Sequence, residues 1–331
     1  MKQMNLIPHR PDPDFISFAE SLISELHQDG RYGTSKTYTK ALSSLRVYLQ
    51  ELSGGPVQTN GQLPFSAIDE DFICRYNRHL SRRGVIRNSI SFYNRVLRAI
   101  YNKGVRHFRI PDNHPFDEAY TGVDRTRKRA VDERTIARLI AFDLSYDKSL
   151  ELTRDLFIFS YLMRGIPFVD MAYLKKSNIS DGYITYRRKK TGTKMDVKLE
   201  RQLKMIIGRF ARKDSEFLLP ILQGFDKAAP ETLYRRYQAR LAAFNRKLKE
   251  LSKLLGGKVS LSSYVPRHSW ATAAHNSDVP IGIISESLGH SSERATRVYL
   301  DSFNSRLIDN ANRKLIGRIE KFVSLQETNM L

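Results

Sequence analysis

Asp181–Glu200, DGYITYRRKKTGTKMDVKLE, is the stretch that decides the fold, because there a helical chain changes its period. Side chains alternate before Thr191-Gly192-Thr193 and alternate again after it, which predicts a β-hairpin closed by that turn. Outward on both sides the apolar residues return at helical intervals. Upstream, Leu150 to Met163 reads as a buried helix ending near Gly165, and Asp132 can cap an earlier one that runs through Phe142. Downstream the pattern is helical again. The expected class is mainly α with one small β-sheet.

The first third is helical throughout and carries no repeat at a fixed period. Phe15, Phe18, Leu22 and Leu26 form one stripe. Tyr38, Leu42, Leu45, Leu49 and Leu52 form a second, with Ser35 as the expected cap and Gly54-Gly55 as the stop. A third helix spans Asp69 to Arg82 on Phe72, Ile73, Tyr76 and Leu80. The fourth carries Ile90, Tyr93, Leu97 and Ile100 on one side, with Arg87, Asn94, Arg95 and Arg98 mostly on the other and Gly104 as its expected end. Pro111 and Pro115 then break the pattern, and a compact basic run follows at Arg125–Arg129, RTRKR. The reading is a helical domain over 1–119, a basic linker over 120–131 and a second domain over 132–331. That last domain holds the hairpin and a terminal helix marked by Leu307, Ala311, Leu315, Ile319 and Phe322.

Lysine and arginine total 55 against 35 acidic residues in a chain of 331, a formal charge of +20. Such a field attracts polyanions, nucleic acid first among them. Lys36 and Lys40 beside Thr37 and Thr39, together with Arg87, Arg95 and Arg98, offer two basic helical surfaces for a DNA backbone. In the linker, Arg125, Arg127, Lys128 and Arg129 can track phosphates. The lone Cys74 excludes an internal disulfide framework and any multi-cysteine zinc site. The start lacks the apolar core of a signal peptide, and no run approaches the ~18 apolar residues of a membrane span. The expected setting is the cytoplasm, with no membrane partner.

Four separated places carry residues suited to chemistry. Arg164 stands at the end of an apolar helix, where an unpaired guanidinium is costly, and Asp170 or a phosphate could balance it. Lys189, Lys190 and Lys194 surround the hairpin turn. Tyr264, Arg267 and His268 open a later helix in SSYVPRHSWATAA. His290 and Tyr299 lie in SLGHSSERATRVYLDSF, Ser287–Phe303. Together they supply a phosphoryl transfer that needs no metal. Arginine forks grip non-bridging oxygens, a lysine or histidine protonates the leaving oxygen, and a tyrosine attacks phosphorus.

Read in order, Arg164 with FVDMAYLKKSNI, then KKTGTKMDVKL, YVPRHSWAT and LGHSSERATRVY, the sequence resembles the tyrosine recombinases of the phage-integrase family. The resemblance spans about Arg164 to Tyr299. It implies an α+β catalytic domain, preceded by a helical core-binding, SAM-like domain, that cuts and rejoins double-stranded DNA through a 3′-phosphotyrosyl link. It implies Tyr299 as nucleophile, Arg164 and Arg267 on the scissile phosphate, Lys190 as general acid and His290 as a phosphate or proton-transfer group. Asp170 stands where the family has an acid supporting the first arginine, and His268 is a supporting residue. The implied enzyme works as a homotetramer on DNA without cofactor, in the service of a mobile element or an inversion, with accessory DNA-bending proteins as possible partners. Because the N-terminal domain starts near Asp12, the arm-binding domain of some integrases is not expected.

Two positions depart from the family pattern. Tyr264 stands where the family usually has histidine, and a phenol with an ordinary pKa of about 10 donates a proton more readily than it accepts one. The interval from Arg164 to Asp170 is also long, which calls for a local bulge at Gly165 and Pro167 to return the arginine to the site. Both leave a rival of another class, a DNA-binding regulator on the same scaffold that makes no covalent bond. Within the enzyme class the alternative is a topoisomerase-like relaxation of supercoils.

Overall fold

Asp14 fixes the first helix by two bonds at once: its carboxylate accepts from the backbone N–H of Ser17 at 2.7 Å, capping the helix, and from that of Leu63 at 2.6 Å. The structure, a computed structural model, describes residues 12–52, 62–124, 130–257, 259–290, 292, 293, 296, 297 and 316. The chain divides into two units between Thr126 and Arg127.

In the first unit α1 (Phe15–Gln28), α2 (Tyr32–Glu51), α3 (Glu70–Arg82) and α4 (Arg87–Phe108) bury the stripes read from sequence. Phe15, Phe65, Tyr76, Leu97, Ile100 and Tyr101 lie at its centre. Ser35 is not a cap. The helix starts three residues earlier, and the buried Ser35 hydroxyl donates to the Ile23 carbonyl at 3.2 Å, joining α2 to α1. Gly104 does not end α4, which continues to Phe108. A Cβ there would stand 2.1 Å from the Phe65 ring, so the glycine admits an aromatic side chain against the helix backbone. Asn94 is fully buried rather than outward. It donates to the Tyr120 carbonyl at 3.2 Å, while Ser91 donates to the Gly122 carbonyl and Asn88 to that of Asp124, so residues 120–124 are strapped along α4.

The second unit is built around α6 (Lys148–Leu162), preceded by α5 (Glu133–Ala141), which Asp132 caps at the Thr135 N–H. Eight consecutive residues of α6, Thr153 to Ser160, are buried, and such a helix suits a core position. The two charges among them are mutually satisfied: Arg154 Nε donates to Asp155 at 2.9 Å, and Arg209 adds a bond to the same carboxylate at 2.8 Å. After α7 (Phe168–Ala172) come β1 (Ile179–Ser180), β2 (Tyr183–Arg187) and β3 (Lys194–Lys198), an antiparallel sheet in the order β1-β2-β3. Register pairs Arg187 with Lys194 and Ile184 with Val197, turning Ile184, Tyr186, Met195 and Val197 into the core. The helices α8 (Arg201–Phe210), α9 (Pro230–Leu254), α10 (Val265–Asn276) and α11 (Ile281–Leu288) complete the described residues. Phe168 of α7 stacks on Phe244 of α9 with ring centroids 4.8 Å apart. No described helix is long and apolar enough to cross a membrane.

Candidate active site

The turn that follows α6 is made by two consecutive left-handed residues, Arg164 at φ 56° and Gly165 at φ 72°. The amides of Gly165 and Ile166 both return to the Ser160 carbonyl, at 2.8 and 3.2 Å. The local break in the helix expected at Gly165 and Pro167 therefore lies at Arg164 and Gly165. Gly165 has a second reason to lack a side chain, since a Cβ would stand 2.4 Å from the Cα of Arg267. Arg164 is half-buried, and its guanidinium makes no hydrogen bond among the described residues.

Arg267, in the first turn of α10, is 3% exposed. Its Nη1 donates to the Gly165 carbonyl at 3.0 Å, and its Nη2 to the Leu288 carbonyl at 2.5 Å, tying three separated segments together. The same Nη2 lies 2.9 Å from His290 Nε2, and His290 Nδ1 lies 2.7 Å from the hydroxyl of the buried Thr296. The arginine can only donate, so Nε2 accepts and Nδ1 carries the proton. Burial first, then the charges of Arg267, Arg188 and Lys190, hold the imidazole pKa down to about 4. His290 is therefore neutral near pH 7.

Asp170, buried on α7, faces Arg188 at 3.6 Å instead of Arg164. Its other oxygen accepts the Lys189 amide at 2.8 Å, which fixes the hairpin turn to α7. Burial raises the Asp170 pKa, against the pull of that amide and of Arg188 and Arg267. Arg188 is 6% exposed, and its Nη1 donates to the carbonyls of Leu288 and Gly289 at 2.9 and 2.7 Å. Gly289 ends α11 in the left-handed region, and a Cβ on it would meet Arg188 Cδ and Met195 Sδ, each at 2.7 Å. Burial raises the phenol pKa of Tyr186, beneath this cluster, and so does Asp170, while Arg188, Arg267 and Arg164 oppose the rise.

The remaining expected residues divide between the two units. Lys190 sits exposed in the hairpin turn, near enough to His290 to disfavour its protonation. Its neighbour Lys189 lays its ammonium 3.7 Å from the centre of the Tyr173 ring, and burial lowers its pKa. Lys194, on the far strand, pairs with Asp196 at 3.2 Å. Tyr264 is 44% exposed at the start of α10, with its ring edge-on to His268 at 5.3 Å. Lys36 and Lys40 lie on the exposed side of α2, well inside the helix rather than at its start. Arg87, Arg95 and Arg98 are exposed on α4. Arg125, Arg127, Lys128, Arg129, Tyr299 and the terminal stripe lie outside the described residues, except that Ile316 within that last segment is helical.

Sequence reasoning missed Arg188. Its signal was available: continued alternation from Ile184 and Tyr186 turns Arg188 to the same inner face. The lysines beside it, read as a basic turn, masked that phase.

The phage integrase SAM-like domain model matches residues 14–121, and the phage integrase family model matches residues 129–306. No curated protein matches the sequence. Among solved structures, the fold is similar to that of the Tn1549 transposon integrase in complex with transposon right end DNA, with a TM-score of 0.63 at 13% identity over 92% of this chain and 100% of that one. A lambda integrase dimer bound to a COC′ core site gives 0.59 at 15% identity, over 87% and 95% of the two chains. A lambda integrase tetramer bound to a Holliday junction gives 0.58 at 15%, over 89% and 80%.

Proposed function

The chain belongs to the phage integrase family, the tyrosine recombinases, and from that premise we propose that it is a site-specific DNA recombinase acting through a 3′-phosphotyrosyl intermediate. Tyr299 Oη bonds to the scissile phosphorus as the bond from phosphorus to the 5′ oxygen breaks. That oxygen takes a proton from Lys190, and the phenol proton passes to His290. A bound phosphate opposes the push of the surrounding guanidiniums on His290 and so raises its proton affinity. The 5′ hydroxyl of a second duplex reverses the step, and the bond energy of the cut strand is retained in the enzyme-linked ester. Tyr264 donates a hydrogen bond to a phosphate oxygen, in keeping with its exposure beside His268.

The observation that carries this reading is the convergence at Arg267, whose guanidinium reaches Gly165 in one motif and Leu288 and His290 in another, so that three separated motifs meet. Fixed, buried donors need no rearrangement as charge grows on phosphorus. The basic surfaces of α2 and α4 hold the duplex. The likeness in fold to integrases solved on DNA as a dimer and as a tetramer supports assembly as a tetramer on DNA, and the transposon integrase supports a mobile element as its setting.

The test uses a nicked suicide duplex carrying the sequence that the chain selects from a randomised pool. A protein–DNA adduct on a denaturing gel, lost in Tyr299→Phe, is expected. Absence of any adduct would favour a DNA-binding regulator, and an adduct retained by Tyr299→Phe would remove Tyr299 as the nucleophile.

A further inference from the structure

Building on that reading, we propose that Arg188 is the second guanidinium on the scissile phosphate, paired with Arg267, in the place that the sequence pattern gives to Arg164. Both arginines bond one atom. Arg188 Nη1 and Arg267 Nη2 lie 2.9 and 2.5 Å from the Leu288 carbonyl oxygen, so two planar cations are held side by side at the end of α11. They are 6% and 3% exposed.

Charge counting then asks for an anion. Among the described residues the buried cluster holds two permanent cations, Arg188 and Arg267, and the carboxylate of Asp170, while His290 is neutral. Two like charges held close together in a buried site repel one another, and an anion brought between them lowers that cost. A phosphodiester carries one negative charge and is an anion of that kind.

The bonding of Arg188 leaves a place for that partner. Nη1 is committed to two carbonyls and Nε faces Asp170, whereas Nη2 makes no hydrogen bond among the described residues. A guanidinium is rigid and flat, so clamping one edge aims the rest. Arg164 has no such clamp. It sits on a left-handed turn, half-buried, without a hydrogen bond or ion pair among the described residues. Arg188 also lies two residues before Lys190, so one hairpin delivers both a phosphate grip and the proposed acid.

The test compares Arg188→Ala, Arg188→Lys and Arg164→Ala on two nicked suicide duplexes, one with an ordinary scissile phosphate and one with a methylphosphonate, which lacks one anionic oxygen. On phosphate, Arg188→Ala is expected to form adduct at least about 100-fold more slowly than the unaltered chain, the size of effect seen when a transition-state donor is removed. On methylphosphonate most of that loss should vanish, which damage to folding alone would not produce. Arg188→Lys should be intermediate on phosphate, and Arg164→Ala should stay within about threefold on both. Full cleavage of phosphate by Arg188→Ala, equal loss on both substrates with an unchanged melting temperature, or an Arg164→Ala defect rescued by methylphosphonate would each overturn the assignment. Should Arg188→Ala not fold, Arg188→Lys and the Arg164→Ala comparison still decide it. The unaltered chain is the separate control: if it forms no adduct, the recombinase reading fails before the arginines are compared.

Discussion

The two units hold their arginines in opposite ways. On α4 of the first unit, Arg87 leans over the Tyr120 ring at 3.8 Å and lies 3.5 Å from Asp124, while Arg95 donates to the Ser91 carbonyl of its own helix. These side chains are exposed and stay hydrated. In the second unit Arg188 and Arg267 are sunk among main-chain carbonyls, with their desolvation met during folding. Exposed cations can follow a flexible polyanion, and salt competes with them. Buried ones are fixed in advance and can stabilise one geometry of charge.

The largest effect that could break this contrast is expected from Arg267→Ala. It removes bonds to Gly165, Leu288 and His290 together, and adduct formation should fall by about 100- to 1,000-fold in single-turnover assays. An equally large loss from Arg98→Ala at saturating DNA would erase the distinction.

Next come the two glycines at close approaches, which set the same lesion in each unit. Gly165→Ala forces a Cβ into a left-handed residue against the Arg267 backbone, and Gly104→Ala forces one into the Phe65 ring. Each should destabilise by about 1–3 kcal/mol in urea titration. Only Gly165→Ala should also slow cleavage of bound DNA.

A smaller, pH-dependent effect separates the units further. The His290 pKa is depressed to about 4 in the folded state from its ordinary 6.5, so between those values the unfolded chain binds the extra proton. Its contribution to stability is present above about pH 6.5 and is lost as pH falls toward 4. Urea midpoints at pH 7, 6 and 5 should show this decline, and His290→Gln should flatten it. The smallest change belongs to the surface: Lys40→Ala or Arg98→Ala should weaken DNA binding modestly and lower the slope of log affinity against log salt by about one.

Much of the first unit was legible because its stripes obey one period. Tyr38, Leu42, Leu45 and Leu49 could be read as a buried face, and they form one. Gly104 and Asn94 misled because their partners, Phe65 and the 120–124 strap, are distant in sequence and no local pattern encodes them. In the second unit the hairpin and Asp132 cap followed from alternation and capping chemistry. The partner of Asp170 did not. Nearness along the chain favoured Arg164, but two left-handed residues turn the backbone there, and the hairpin delivers Arg188 instead.

The clasp between the two buried arginines is a main-chain oxygen, that of Leu288. A peptide carbonyl survives every substitution at its own residue, so Leu288 is free to drift to isoleucine or methionine for the needs of packing. The vulnerability moves one residue on, to Gly289, where any side chain meets Arg188 and Met195. In this chain a mute glycine guards what the leucine supplies.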